Sequence, residues 1–235
     1  MSLTTVTVAG GVLALGNLVV GTSLIPALLG RGAPFVPTAG AKIEALFGSD
    51  GLLRPSSRRS LLPPASAPDC LQLIDLGSGD GALLRAATRV AGFGKATGWE
   101  INPFLVGYAR LRSSGRYARE ETRWHSLWDA PVAEADVVLV YGAPPIMQDL
   151  GAKLKAELRP GAVVVSNGYP LPPEALGPPI ASVFVETPRW SSDASSCLFG
   201  YRWGGAAAPA CALVHGARPR RRLHTRSLPH GPVAG

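Results

Sequence analysis

The nine residues Leu73-Ile74-Asp75-Leu76-Gly77-Ser78-Gly79-Asp80-Gly81 constrain the fold more than any other stretch of this chain. An apolar run of strand character meets three alternating glycines, and Ala82 to Val90 then reads as a helix. Glycine tolerates a positive φ and lets the backbone approach a ligand with no Cβ in the way. The N–H groups exposed where such a helix begins favour an anionic or carboxylate-bearing ligand. Strand, tight glycine turn and helix together form the opening unit of a doubly wound α/β sheet, which holds its ligand at the carboxyl ends of the strands.

The following residues repeat that unit. Ala96 to Glu100 reads as a second strand, Pro103 to about Leu111 as a helix, and Thr122 to His125 as a short third strand. Val137 to Tyr141 is a fourth, a near-continuous β-branched run suited to burial on both faces. A helix from Ile146 to Leu158 and a fifth strand from Ala162 to Ser166 follow, joined by the turn Arg159-Pro160-Gly161. Val183 to Glu186 and Leu198 to Trp203 are two late strands with no helix between them. This order predicts a seven-stranded, mostly parallel, Rossmann-like sheet with an antiparallel edge. Ahead of it, Thr38 is the expected N-cap of a helix whose apolar face is Ile43, Leu46 and Phe47. Residues 48–69 read as a loop.

Charge narrows the function. The formal net charge is +7, but residues 1–193 hold 17 Lys or Arg and all 16 acids, whereas the last 42 residues hold six Arg and no acid. The body is nearly neutral, so a nucleic-acid reading based on charge alone is weakened. Val6 to Leu29 carries no charged side chain and is long enough to cross a ~30 Å hydrocarbon layer. A membrane anchor is the favoured reading of that apolar helix, ahead of an uncleaved targeting segment or a helix buried on the domain. The expected organisation is an apolar segment at 1–30, a Pro-rich lead-in at 31–69, the catalytic domain at 70–203 and a basic, disordered tail at 204–235. Cys70, Cys197 and Cys211 lack metal-ligand or framework spacing, so free thiols and no metal site are expected.

Glu100 ends the second strand 23 residues after Gly77, where a doubly wound fold places a carboxylate for ribose hydroxyls. An adenosine-type cofactor is therefore expected. Gly77-Ser78-Gly79-Asp80-Gly81-Ala82 fits the GxGxxA dinucleotide pattern. The acid at Asp75 and the third glycine at Gly81 fit the Asp-x-Gly-x-Gly-x-Gly loop of S-adenosylmethionine enzymes better. S-adenosylmethionine is thus preferred over NAD.

The sequence resembles the mitochondrial protein-lysine N-methyltransferases that act on the adenine nucleotide translocase and the ATP synthase c subunit. The resemblance runs from about Pro34 to Trp203 and rests on Pro34-Phe35-Val36-Pro37, the Asp75 to Gly81 loop and Gly98-Trp99-Glu100-Ile101-Asn102-Pro103. It continues through Leu127-Trp128, Tyr141-Gly142-Ala143-Pro144-Pro145-Ile146-Met147 and Tyr169-Pro170-Leu171-Pro172. It implies a methyltransferase sheet, S-adenosylmethionine bound by Asp75, Gly77, Ser78, Gly79, Asp80, Gly81, Glu100, Asn102, Ser126, Leu127 and Trp128, and a mitochondrial, inner-membrane-associated enzyme. Where that family has Asp-Leu-Trp, this chain has Ser126-Leu127-Trp128, so a hydroxyl stands where an acid would face the adenine amino group.

Methyl transfer to lysine is an in-line displacement in which the protein mainly aligns a desolvated, deprotonated amine. Tyr141, Pro144 and Pro145 are the candidate catalytic wall at the end of the fourth strand, and Tyr141 and Trp128 are candidates for a cation-accepting aromatic channel. Against this, Trp128 and Tyr141 also suit ordinary core or rim positions, and Asp80 also suits a helix cap. The function expected is methylation of a lysine on a membrane-embedded protein, without nucleic acid. The alternatives are a small-molecule or RNA methyltransferase and a non-catalytic interaction protein of the same fold.

Overall fold

The computed structural model describes residues 35–204 apart from 65, 114–118, 190, 192, 193 and 195. The apolar segment Val6 to Leu29 and the tail beyond Gly204 lie outside the described residues. Among the described residues no helix is long and apolar enough to cross a membrane.

The lead-in forms helix α1 (Gly40–Phe47). Then come β1 (Gln72–Leu76), α2 (Ala82–Arg89), β2 (Lys95–Glu100), α3 (Pro103–Arg112) and β3 (Glu120–Trp124). The second half consists of β4 (Val137–Val140), α4 (Pro144–Glu157), β5 (Val163–Asn167), α5 (Pro173–Leu176), β6 (Ala181–Val185) and β7 (Ser196–Arg202). All seven strands join one sheet in the order β3-β2-β1-β4-β5-β7-β6. The first five run parallel, and β7 pairs antiparallel with both β5 and β6. The late strands therefore form the antiparallel edge that the missing helix between them implies.

Alternation along the central strands builds two cores. Leu73, Val137, Leu139 and Val163 face α2, α1 and the loop leucines Leu52, Leu53, Leu61 and Leu62. Ile74, Val138, Val140 and Val164 face α4 through Met147, Leu150 and Leu154. Residues 46–62 thus belong to the same hydrophobic core as the first strand. At the amino end of the sheet the Asp136 carboxylate accepts from the Gln72 N–H at 2.8 Å and pairs with Arg159.

Three local expectations change. Thr38 is not the cap of α1: Ala39 takes that position with no side-chain cap, because the helix starts one residue later. The short helix α5 was hidden by its four-residue length, less than two turns of any periodic signal. Cys197 is a free thiol, but Cys70 is disulfide-bonded, because pairing depends on distance in the fold and not on spacing in the sequence.

Candidate active site

A cavity of about 280 Å³ opens at the carboxyl ends of β1, β2 and β4. That places it near the lower end of small-ligand sites, roughly 300–1,000 Å³. The glycine loop forms its floor. Gly77, Gly79 and Gly81 have φ of +88°, +55° and +74°, values that disfavour any residue with a Cβ. A Cβ on Gly79 would also lie 2.5 Å from the Phe35 ring, so the lead-in segment seats itself in the space this glycine leaves.

Glu100 ties the loop to β2. One carboxylate oxygen accepts from the Gly79 N–H at 2.9 Å and the other from the Asn102 N–H at 2.7 Å. Burial raises its pKa, and the N–H donors of Asn102, Gly79 and Ile101 partly offset that rise. Three N–H donors on about four lone-pair sites leave one for a ligand hydroxyl. Asn102 caps α3, its Oδ1 accepting from the Phe104 N–H at 3.0 Å. Asp80 lies one residue before the Gly81 N-cap of α2, where its Oδ1 accepts from the Ala82 N–H at 3.0 Å and its carboxylate pairs with Arg85, so its contacts are those of a helix start.

Asp75 lies at the end of β1 with its carboxyl wholly out of water. Burial pushes its pKa up to about 7, and the nearby charges of Glu100 and Asp80 add to the rise. Asp75 Oδ1, Ser78 Oγ and Asn102 Nδ2 are all buried with no hydrogen-bond partner. Orphaned polar atoms of this kind cost about 1–3 kcal/mol each. Gathered at one cavity, an acceptor, a hydroxyl and an amide donor fit a ligand bearing ammonium, carboxylate and hydroxyl groups, as S-adenosylmethionine does.

The remaining walls come from distant segments. Ser126 starts a 3₁₀ turn, its Oγ accepting from the Trp128 N–H, and Leu127 and Trp128 border the cavity beside it. Tyr141, Gly142 and Ala143 form the wall after β4. Lys42 of α1, fully buried, lies with its Nζ 5.5 Å from the centroid of the Tyr141 ring.

Of the residues singled out in the sequence, Asp75, Gly77, Ser78, Gly79, Asp80, Glu100, Asn102, Ser126, Leu127, Trp128 and Tyr141 line this cavity. Gly81, Pro144 and Pro145 do not. Gly81 caps α2, and the two prolines occupy the first turn of α4, where a missing N–H costs no helical bond. Phe35, Val36, Thr38 and Tyr169 line it unforeseen. Their signal was present in Pro34-Phe35-Val36-Pro37 and Tyr169-Pro170-Leu171-Pro172, two motifs with no local chemistry to assign them a role. Tyr169 is held by its carbonyl, which accepts from Ser166 Oγ at 2.6 Å. Nearby, the Leu171 N–H donates to Tyr201 Oη at 2.9 Å.

Sheet order, glycine loop and buried carboxylates define an S-adenosylmethionine-dependent methyltransferase of the seven-stranded class. The family model for the ANTKMT methyltransferase domain matches residues 75–175. The lysine N-methyltransferase of the ATP synthase c subunit from Rattus norvegicus is 32% identical over 81% of this chain and 80% of its own length. Adenine nucleotide translocase lysine N-methyltransferase of Mus musculus is 40% identical over 52% of this chain and 53% of its own. Among solved structures, an RNA methyltransferase from Salinibacter ruber in complex with S-adenosyl-L-homocysteine superimposes with a TM-score of 0.55 at 28% identity, covering 74% of this chain and 97% of the other. The chain belongs to the family of these protein-lysine N-methyltransferases, and its cofactor is S-adenosylmethionine.

Proposed function

We propose that this protein transfers methyl groups from S-adenosylmethionine to a lysine of a membrane-embedded mitochondrial protein, either the ATP synthase c subunit or the adenine nucleotide translocase. The observation that carries the reading is 32% identity across four-fifths of both chains to an enzyme named for c-subunit lysine. The bound cofactor supplies a methyl group on a positively charged sulfur, already activated for displacement. The chain's own residues bind and align. Asp75, Gly77, Ser78, Gly79 and Asn102 hold the methionine end and the loop, Gly81 and Asp80 fix the start of α2, and Glu100 accepts from the ribose. Ser126, Leu127 and Trp128 border the adenine. Tyr141 and Trp128 offer aromatic faces to the incoming ammonium. Backbone carbonyls of Tyr141 to Ala143 accept hydrogen bonds from it, while Pro144 and Pro145 stiffen that wall. Residues 6–29 keep the domain near its substrate and raise the effective concentration. An inner-membrane-associated enzyme follows.

Full-length protein incubated with isotopically labelled cofactor and mitochondrial inner membranes is expected to label one of these two proteins at lysine, read by peptide mass spectrometry. Glu100→Ala is expected to abolish the label. Labelling of equal strength by that variant, or label only off lysine, overturns the assignment.

The likeness to the Salinibacter RNA methyltransferase supports a second reading, methylation of RNA. Removing residues 205–235, with their five arginines and no acid, separates the two. RNA-dependent activity should collapse on truncation, and lysine activity should survive it.

A further inference from the structure

Six of the ten large apolar side chains exposed among the described residues gather at one corner of the molecule. Phe104, Tyr108 and Leu111 lie at i, i+4 and i+7 on the outer face of α3, and Leu111 is 74% exposed. Trp124, at the end of β3, is 60% exposed and donates its indole N–H to the Ile101 carbonyl at 3.0 Å. That bond lays its ring beside Ile101, just ahead of α3. Ile101 and Trp128 continue the patch and also line the cavity, so the apolar surface ends at the mouth of the site.

Its charge leans positive. Residues 101–129, which span the patch, contain five arginines against three acids, Glu120, Glu121 and Asp129. Arg112 lies fully in water, donating to Tyr108 Oη at 2.9 Å, with its guanidinium 5.6 Å from that ring's centroid. Arg123, which pairs with Glu121, covers the face of Trp99 at 5.1 Å. A contiguous apolar patch of this kind marks a surface built for contact. Aromatic rings interleaved with arginine, on a helix whose other face is buried, match the boundary between lipid headgroups and acyl chains. Anionic headgroups complement the arginines. Phe104, Tyr108 and Trp124 beside arginine would also stack nucleic-acid bases, whereas the aliphatic Leu111 and Ile101, 74% and 41% exposed, suit acyl chains and favour lipid over RNA.

We propose that the outer face of α3, with Ile101 and Trp124, docks on the surface of an anionic lipid bilayer and turns the cavity mouth toward it. The purpose of that contact rests on the lysine reading above; the contact itself does not. It is a second attachment, on the folded domain and apart from residues 6–29.

Full-length protein on vesicles of phosphatidylcholine with 30% phosphatidylglycerol, the lipids brominated near the top of the acyl chains, tests this. Trp124 is expected to be quenched: tryptophan quenching should exceed that of a Trp124→Phe variant at least twofold. The Phe104→Ser/Leu111→Ser double variant should lose most of the difference while remaining folded by circular dichroism. Pure phosphatidylcholine should give less than half the effect. If the protein sits on the vesicles while Trp124 is quenched no more than in its phenylalanine variant, the face is not in the bilayer. The same result with protection of Trp124 by RNA or by detergent-solubilised substrate protein assigns the face to that partner instead and overturns the proposal. Because no methyl transfer is measured, failure here leaves the catalytic reading standing, and failure of lysine labelling leaves this one standing.

Discussion

Asp75 carries a cost in the ligand-free fold that depends on pH. Its folded pKa is about 7 against an ordinary 3.8, so the penalty is absent below about 3.8, grows as pH rises, and is complete above 7. At about 1.36 kcal/mol per pH unit, the ceiling is roughly 4 kcal/mol. Asp75→Asn is therefore expected to raise the melting temperature without cofactor more at pH 8 than at pH 5, and to weaken S-adenosylmethionine binding at both. Calorimetry and titration of the two proteins check both halves. Ser126 permits the opposite change. Its hydroxyl already caps the 3₁₀ turn, and a carboxylate there would keep the cap and add an acceptor beside the adenine. Ser126→Asp should tighten cofactor binding about five- to tenfold, the value of one net hydrogen bond of ~1–1.5 kcal/mol. Unchanged or weaker binding would place the adenine elsewhere. Glu100 cannot be probed so cleanly. The alanine variant removes the acceptor for Gly79 and Asn102 along with any ribose contact, so loss of the loop and loss of the ligand coincide.

Among the elements, β2 and the glycine loop are the tightest pair. A Cβ on Gly98 would lie 2.2 Å from Ser78 Oγ and 2.3 Å from Ser78 Cβ. Gly98→Ala must push the loop off the strand. It should cost about 1–3 kcal/mol of stability, as overpacking does, and more than tenfold in cofactor affinity. A variant that binds normally would show the loop free to shift. Glu100 and the loop itself were legible in the sequence, because a tight turn leaves glycine as its trace, whereas Gly98 lay inside a strand with nothing local to mark its partner Ser78. The five parallel strands were legible for a related reason: runs such as Val137 to Val140 have no role except burial on both faces. The opposite side of the cavity was not legible. Phe35, Thr38 and Tyr169 reach it from segments without periodicity, and their place is set by partners such as Gly79 and Ser166 that lie far along the chain. Lys42 breaks the pattern outright, since a lysine on an amphipathic helix ordinarily marks the solvated face, and here it is fully buried beside Tyr141.

For the whole molecule, the buried atoms left without partners at the cavity make the ligand-free protein less stable than its core allows. Cofactor at a hundred times its Kd adds about 2.7 kcal/mol. For a domain of this size that corresponds to a rise of about 5–10 °C in melting temperature. A shift within 1 °C of zero would favour a non-catalytic fold. Asp75 has one more effect, felt at turnover. To receive a cation the carboxyl must ionise, so near neutrality the site exchanges a proton for its ligand. Donor and spent product both carry the α-ammonium that this end of the site receives, so each displaces that proton. Calorimetry in buffers of different ionisation enthalpy should show proton release with S-adenosylmethionine and S-adenosylhomocysteine alike at pH 6.5, and little with either at pH 8.5. Raising the pH through 7 then tightens both ligands together, and the balance between fresh donor and accumulated product stays level across neutrality.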